Sequence, residues 1–197
     1  LDLAHLPVLA LVALAPIARA RNRRNYAFFA LLAGLFSANA LMHATALGAA
    51  LPAALAVPRI GVWVLVVMVT IVSGRIVPAF TRNYLRLLDG ASEGKAEVTT
   101  PFALELASIF LVLAVGVTEI VGAAPLLRGS LGALAALALA ARSARWGGLR
   151  SWRNPIVWSL HLGHSWLIVA MALIALDVFG VLLSGTSALH ALTAGAV

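Results

Sequence analysis

Cysteine is absent from this chain of 197 residues. That absence excludes disulfides, thiolate metal sites, cysteine-held iron–sulfur clusters and cysteine nucleophiles. Charge is also scarce. Only 11% of the residues are Asp, Glu, Lys or Arg, against about 25% in an ordinary soluble domain. Acidic residues are the rarer sign, with seven against fourteen basic ones. What fills the chain instead is apolar: 62% of residues are hydrophobic and the mean hydropathy is +1.02. A small soluble domain leaves too much of its surface in water to hide that composition. A soluble enzyme, a disordered tail and a nucleic-acid module are therefore excluded, and an all-α polytopic transmembrane bundle is expected, with the lipid bilayer as its partner.

A bilayer span needs about 20 apolar residues. Seven runs approach that length, near residues 1–18, 26–47, 60–77, 102–124, 125–141, 155–183 and 187–197, and they read as one transmembrane helical domain over 1–197. The last run stops short and the first residue is Leu1, so the chain reads as a fragment of a longer protein. No basic stretch precedes the first run, which therefore does not resemble a signal peptide. Thr100-Pro101 and Asn154-Pro155 each set a capping residue before a proline suited to a first helical position. Gly48 and Gly90 stand where helices stop, and 89–100 reads as a polar linker.

The net charge of +7 suggests nucleic acid only until the positions of the basic residues are read. Arg19, Arg21, Arg23 and Arg24 follow the first run. Arg75 stands at the end of the third run with Arg82, Arg86 and Lys95 after it, and Arg142, Arg145, Arg150 and Arg153 follow the fifth. Only Arg59 and Arg128 fall on the other side. Alternation of this kind is the positive-inside pattern, and it places the basic loops 19–25, 78–100 and 142–154 in the cytoplasm.

Ionisable groups within a bilayer cost about 2.5–3.5 kcal/mol each on insertion scales, so they are the informative residues. In this orientation they sort into two layers. His43, Glu119, Asp177 and His190 lie toward the outer face; Arg75, Glu105, His161 and His164 lie toward the cytoplasm. Asn39 and His43 share a helical face, as do His161 and His164. Glu105 and Glu119 also share one, roughly 21 Å apart along the axis. Histidine is the usual axial ligand of haem and a common ligand of copper. Nearby carboxylates, with Asn39, suit proton relay or orientation of an imidazole. The plainer readings are a helix–helix hydrogen bond for each histidine, a helix-dipole contact for Glu105, and an interfacial belt for Trp63, Trp146, Trp152, Trp158 and Trp166. Arg75 suits a haem propionate or Glu105.

Several motifs follow in order: Arg23-Arg24-Asn25-Tyr26, then Asn39 and His43, then the stretch Ser73 to Asn83, then Arg145-Trp146, the stretch Pro155 to Trp166, and the stretch Ala188 to Val197. Together they resemble the NnrS family of bacterial multi-pass membrane proteins over almost the whole chain. The resemblance implies the bacterial cytoplasmic (inner) membrane, haem and copper as cofactors, and a part in the response to nitric oxide, by protection, sensing or handling of that small molecule. It carries over His43, Arg75, His161 and His190 as motif positions, with His43, His161 and His190 the expected metal ligands. His164 is a weaker one, because an aromatic residue is common at that position. The residues define no catalytic reaction, though redox activity fits such cofactors. Two rivals use the same residues: a proton-coupled secondary transporter with Glu119 and Asp177 in its relay, and a quinol-linked electron carrier with a haem between two histidines.

Overall fold

A computed structural model describes residues 2–19, 26–49, 57–88, 98–178, 180 and 190–195. Among these the regular structure is all helical, with no strand. The helices are α1 (Asp2–Arg19), α2 (Tyr26–Ala46), α3 (Val57–Leu88), α4 (Phe102–Val121), α5 (Pro125–Ala144) and α6 (Pro155–Asp177). A 3-10 turn covers Gly148–Arg150 and a short π-helical turn Ala191–Gly195. Five helices, α2 to α6, are long and apolar enough to cross a membrane; α1 carries a shorter apolar stretch, Leu3–Ala13. Five of the seven expected runs are thus met by helices of membrane length among the described residues; of the last run only the exposed His190 and the turn after it are described. The basic cluster at residues 21, 23 and 24, Gly90, most of the linker (89–97) and the stretch 181–189 lie outside the described residues.

The chain forms two compact units, Leu1–Met68 and Val69–Val197, and α3 passes from one to the other. In the first, α1 packs on α2, and Gly34 of α2 lies against Val64 of α3. Trp63, assigned by sequence to the membrane interface, is buried here with Leu32, Ala38, Val66 and Val67.

In the second unit α5 makes its largest contact with α6 and its next with α4. Small residues are the reason. Gly129 and Gly132 sit one turn apart on α5, and a side chain on Gly132 would stand 3.0 Å from the Met171 carbonyl of α6. Ala135 and Leu139 continue the same stripe and are fully buried. With no apolar driving force between helices in lipid, such close backbone approach supplies the packing energy.

Of the two helix starts that the sequence marks, one has the expected cap and the other does not. At α6 the expectation holds: Asn154 Oδ1 accepts from the Ile156 and Val157 N–H groups at 3.1 and 3.2 Å, with Pro155 in the first turn. Asn154→Ala is expected to cost about 1 kcal/mol, read as a lower thermal unfolding midpoint in detergent. At α4 the cap is Pro101, without a side-chain bond, and the Thr100 hydroxyl instead accepts from Trp146. The third helix continues past Val77 to Leu88, through Pro78, so Arg75, Arg82 and Arg86 lie on a helix and not in a loop. α5 likewise continues past Ala141 and takes Arg142 with it.

A buried polar cluster as candidate functional site

The second unit gathers polar side chains from four helices around one indole. Trp146 is fully buried and lies in the turn that follows α5. Gly147, with φ of 69°, allows the chain to reverse there. The indole packs with Val77, Leu85 and Val98, and its Nε1 donates to Thr100 Oγ1 at 2.8 Å. The belt assignment fails for this tryptophan because its N–H has a partner inside the protein; Trp152, Trp158 and Trp166 are exposed.

The two α6 histidines flank this indole, His164 at 4.6 Å between ring centroids and His161 at 6.3 Å. Each reaches a different hydroxyl on α3. His164 Nδ1 lies 2.9 Å from Ser73 Oγ, and His161 Nε2 lies 2.9 Å from Thr81 Oγ1. Ser73 and Thr81 are about two turns apart, so the imidazoles diverge and do not converge on a common point. For His161 the tautomer follows. The Thr81 hydroxyl gives its proton to the Val77 carbonyl at 2.7 Å, so Oγ1 accepts from His161 Nε2–H. Nδ1 is then the lone-pair nitrogen. The same ring lines a groove of about 560 Å³ with Gly147, Gly148, Arg150, Trp152 and Trp158. Gly148 lies close over the ring: a methyl there would stand 2.9 Å from Nδ1. His164 is 1% exposed; its Nε2 has no partner in hydrogen-bond geometry, the Leu139 carbonyl making a looser contact with the ring.

The charge pattern places Arg142 in a cytoplasmic loop, yet it is fully buried. Its Nη1 donates to Ser108 Oγ at 3.0 Å. Its Nη2 stands 3.7 Å from Glu105 Oε1, and its Cζ lies 5.5 Å from the Trp146 ring centroid. The guanidinium rests directly on Gly74 of α3, whose missing side chain makes the room.

Thus Glu105, His161 and His164 come together in one unit, with Ser73, Gly74, Thr81, Ser108, Arg142 and Trp146 added. Glu119 and Asp177 come together elsewhere, on Arg128, whose Nε lies 3.2 Å from Glu119 and whose Nη2 lies 3.0 Å from Asp177. Asn39 and His43 are on α2 in the first unit. Arg75 is exposed on α3, and His190 is exposed beside its short turn. Among the described residues no three His, Asp or Glu side chains gather as a metal cage.

A bundle of membrane-length helices around a buried Arg, Trp and His cluster defines a multi-pass membrane protein with a polar interior site. The family model described as NnrS protein matches residues 1–197, and the chain belongs to that family. No curated protein matches it, and no solved structure does.

Proposed function

We propose that the chain is the membrane core of a haem- or copper-binding protein of the bacterial nitric oxide response, seated in the inner membrane with 142–154 cytoplasmic, and that His161 is a metal-binding imidazole. The observation that carries this reading is the His161 geometry. A hydroxyl holds one ring nitrogen, the other keeps its lone pair, and the ring borders a groove large enough for a small molecule. Fit to the implied groups is partial. A single imidazole ligand fits, whereas a cage of several carboxylates and histidines is not formed among the described residues. A haem iron or a copper ion, when bound, supplies the redox-active centre that meets nitric oxide. This chain's residues fix the imidazole tautomer through Thr81, keep the second imidazole apart with Trp146, and leave the ring face close to Gly148. His43 and His190 remain further proposed ligands, and Arg75 a proposed contact for a haem propionate.

The transporter reading draws less support from its carboxylates. Glu119 and Asp177 both contact Arg128, an ion-pair arrangement that suits a structural role.

The test is a reduced-minus-oxidised absorption spectrum with metal analysis on the same detergent-purified sample. His161→Ala is expected to remove the haem band or the copper, and Thr81→Val to weaken retention with a smaller effect. A clean protein with neither haem nor copper, expressed in a haem-sufficient host, overturns the reading.

A further inference from the structure

Arg142 carries an unsolved electrostatic problem. The side chain is wholly buried, yet among the described residues only Nη1 has a hydrogen bond, to Ser108 Oγ. Ser108 gives its own proton to the Glu105 carbonyl at 2.8 Å, so its oxygen is free to accept. Nε and Nη2 have no acceptor within hydrogen-bond distance among the described residues. The Glu105 carboxylate stands off from Nη2 at 3.7 Å, an ion-pair distance too long for a hydrogen bond.

These two nitrogens are not an arbitrary pair. Nε–H and Nη2–H form one edge of the planar guanidinium, and their protons are nearly parallel. That edge grips two oxygens of one anion at once. Around it the walls are set. Gly74 lies under the guanidinium, the Trp146 ring flanks it, and His164 lies against the same indole. A buried charge with unmet donors costs several kcal/mol unless something compensates it. Glu105 is 30% exposed, while Arg142 is not exposed at all.

We propose that the Nε–Nη2 edge of Arg142, beside Ser108, Glu105 and Gly74, binds a small planar monoanion with two oxygens, of the formate or nitrite type. The two oxygens take one N–H each. A monatomic anion cannot bridge the edge in this way, and Glu105 repels whatever anion sits there. The site is separate from the His161 groove and does not depend on a metal at His161.

The test uses the whole chain in lipid nanodiscs, with formate titrated against chloride at constant ionic strength. Thermal unfolding followed by tryptophan fluorescence and the infrared carboxylate stretch of ¹³C-formate are the two readouts. Expected is a saturable rise in midpoint and a shifted stretch with formate, neither with chloride. Arg142→Lys keeps the charge but removes the edge and should weaken binding at least about tenfold. Glu105→Gln removes the repelling carboxylate and should tighten it severalfold. Equal responses to formate and chloride, or a formate response unchanged in Arg142→Lys, overturn the proposal. If Arg142→Lys does not fold, Glu105→Gln decides: no tightening there means an adventitious ion only, and the proposal fails.

Discussion

Alanine at Gly74 is expected to destabilise the protein by about 1–3 kcal/mol. The sign is the informative part. Within a helix, glycine to alanine ordinarily gains up to about 1 kcal/mol. At Gly74 the added methyl collides with the Arg142 guanidinium. An arginine at the surface would swing aside at little cost. This one is buried, bonded to Ser108 and paired with Glu105, so moving it leaves those partners unmet. Thermal unfolding in detergent measures the difference, with Gly163→Ala on α6 as the control. Its own helix aside, no described residue stands within 4 Å of a methyl at Gly163, so that variant should be neutral or slightly stabilised. In an Arg142→Ala background the Gly74→Ala penalty should disappear, because the group it strikes is gone. A penalty of the same size in that background would place its cause elsewhere on α3.

Trp146→Ala is the second large expectation, at about 3–5 kcal/mol. The indole is completely buried, fills the space between Val77, Leu85 and Val98, and is the surface on which His164 and Arg142 both rest. Removing it opens a cavity and takes the donor from Thr100. Trp146→Phe separates the two effects. It keeps much of the packing and loses the hydrogen bond, so about 1 kcal/mol of the loss should remain. Denaturant unfolding, followed by far-ultraviolet circular dichroism so that the missing fluorophore does not matter, gives both values. A Phe variant as unstable as the Ala variant would mean that the Nε1 bond, not the ring volume, holds this region.

The helices were legible because a bilayer imposes both length and composition, and the apolar runs at 102–124 and 155–183 carry both signals. Their ends were less so. Pro78 with Arg82 and Arg86 reads as a loop, but a membrane helix tolerates proline when its neighbours satisfy the freed carbonyl, and α3 runs on to Leu88. The histidine pair was visible from its spacing, whereas its hydroxyl partners were not. Ser73 and Thr81 look like ordinary helix residues until α3 and α6 are laid together.

Arg142 had a legible signal that charge counting overrode. It falls on the stripe that runs through Gly132, Ala135 and Leu139 at spacings of three and four, the buried face of α5. Counted as one basic residue among several near a helix end, it passed for a topology determinant. Arg128 likewise stands out in the charge pattern only as an exception, though it is the partner of both Glu119 and Asp177. Spacing along one helix shows which residues share a face; it does not show which helix that face meets.

The two acidic residues of α4 both find their cations on α5, Glu105 with Arg142 and Glu119 with Arg128. Between the helices the chain turns within a few residues, through Gly122 in the left-handed conformation and Pro125 at the start of α5. Biosynthesis therefore meets these charges in a convenient order. Both ion pairs can close as soon as this hairpin has left the ribosome, before α6 is made. Each of the four charges, which would resist transfer into the bilayer alone, then has a countercharge within the same hairpin.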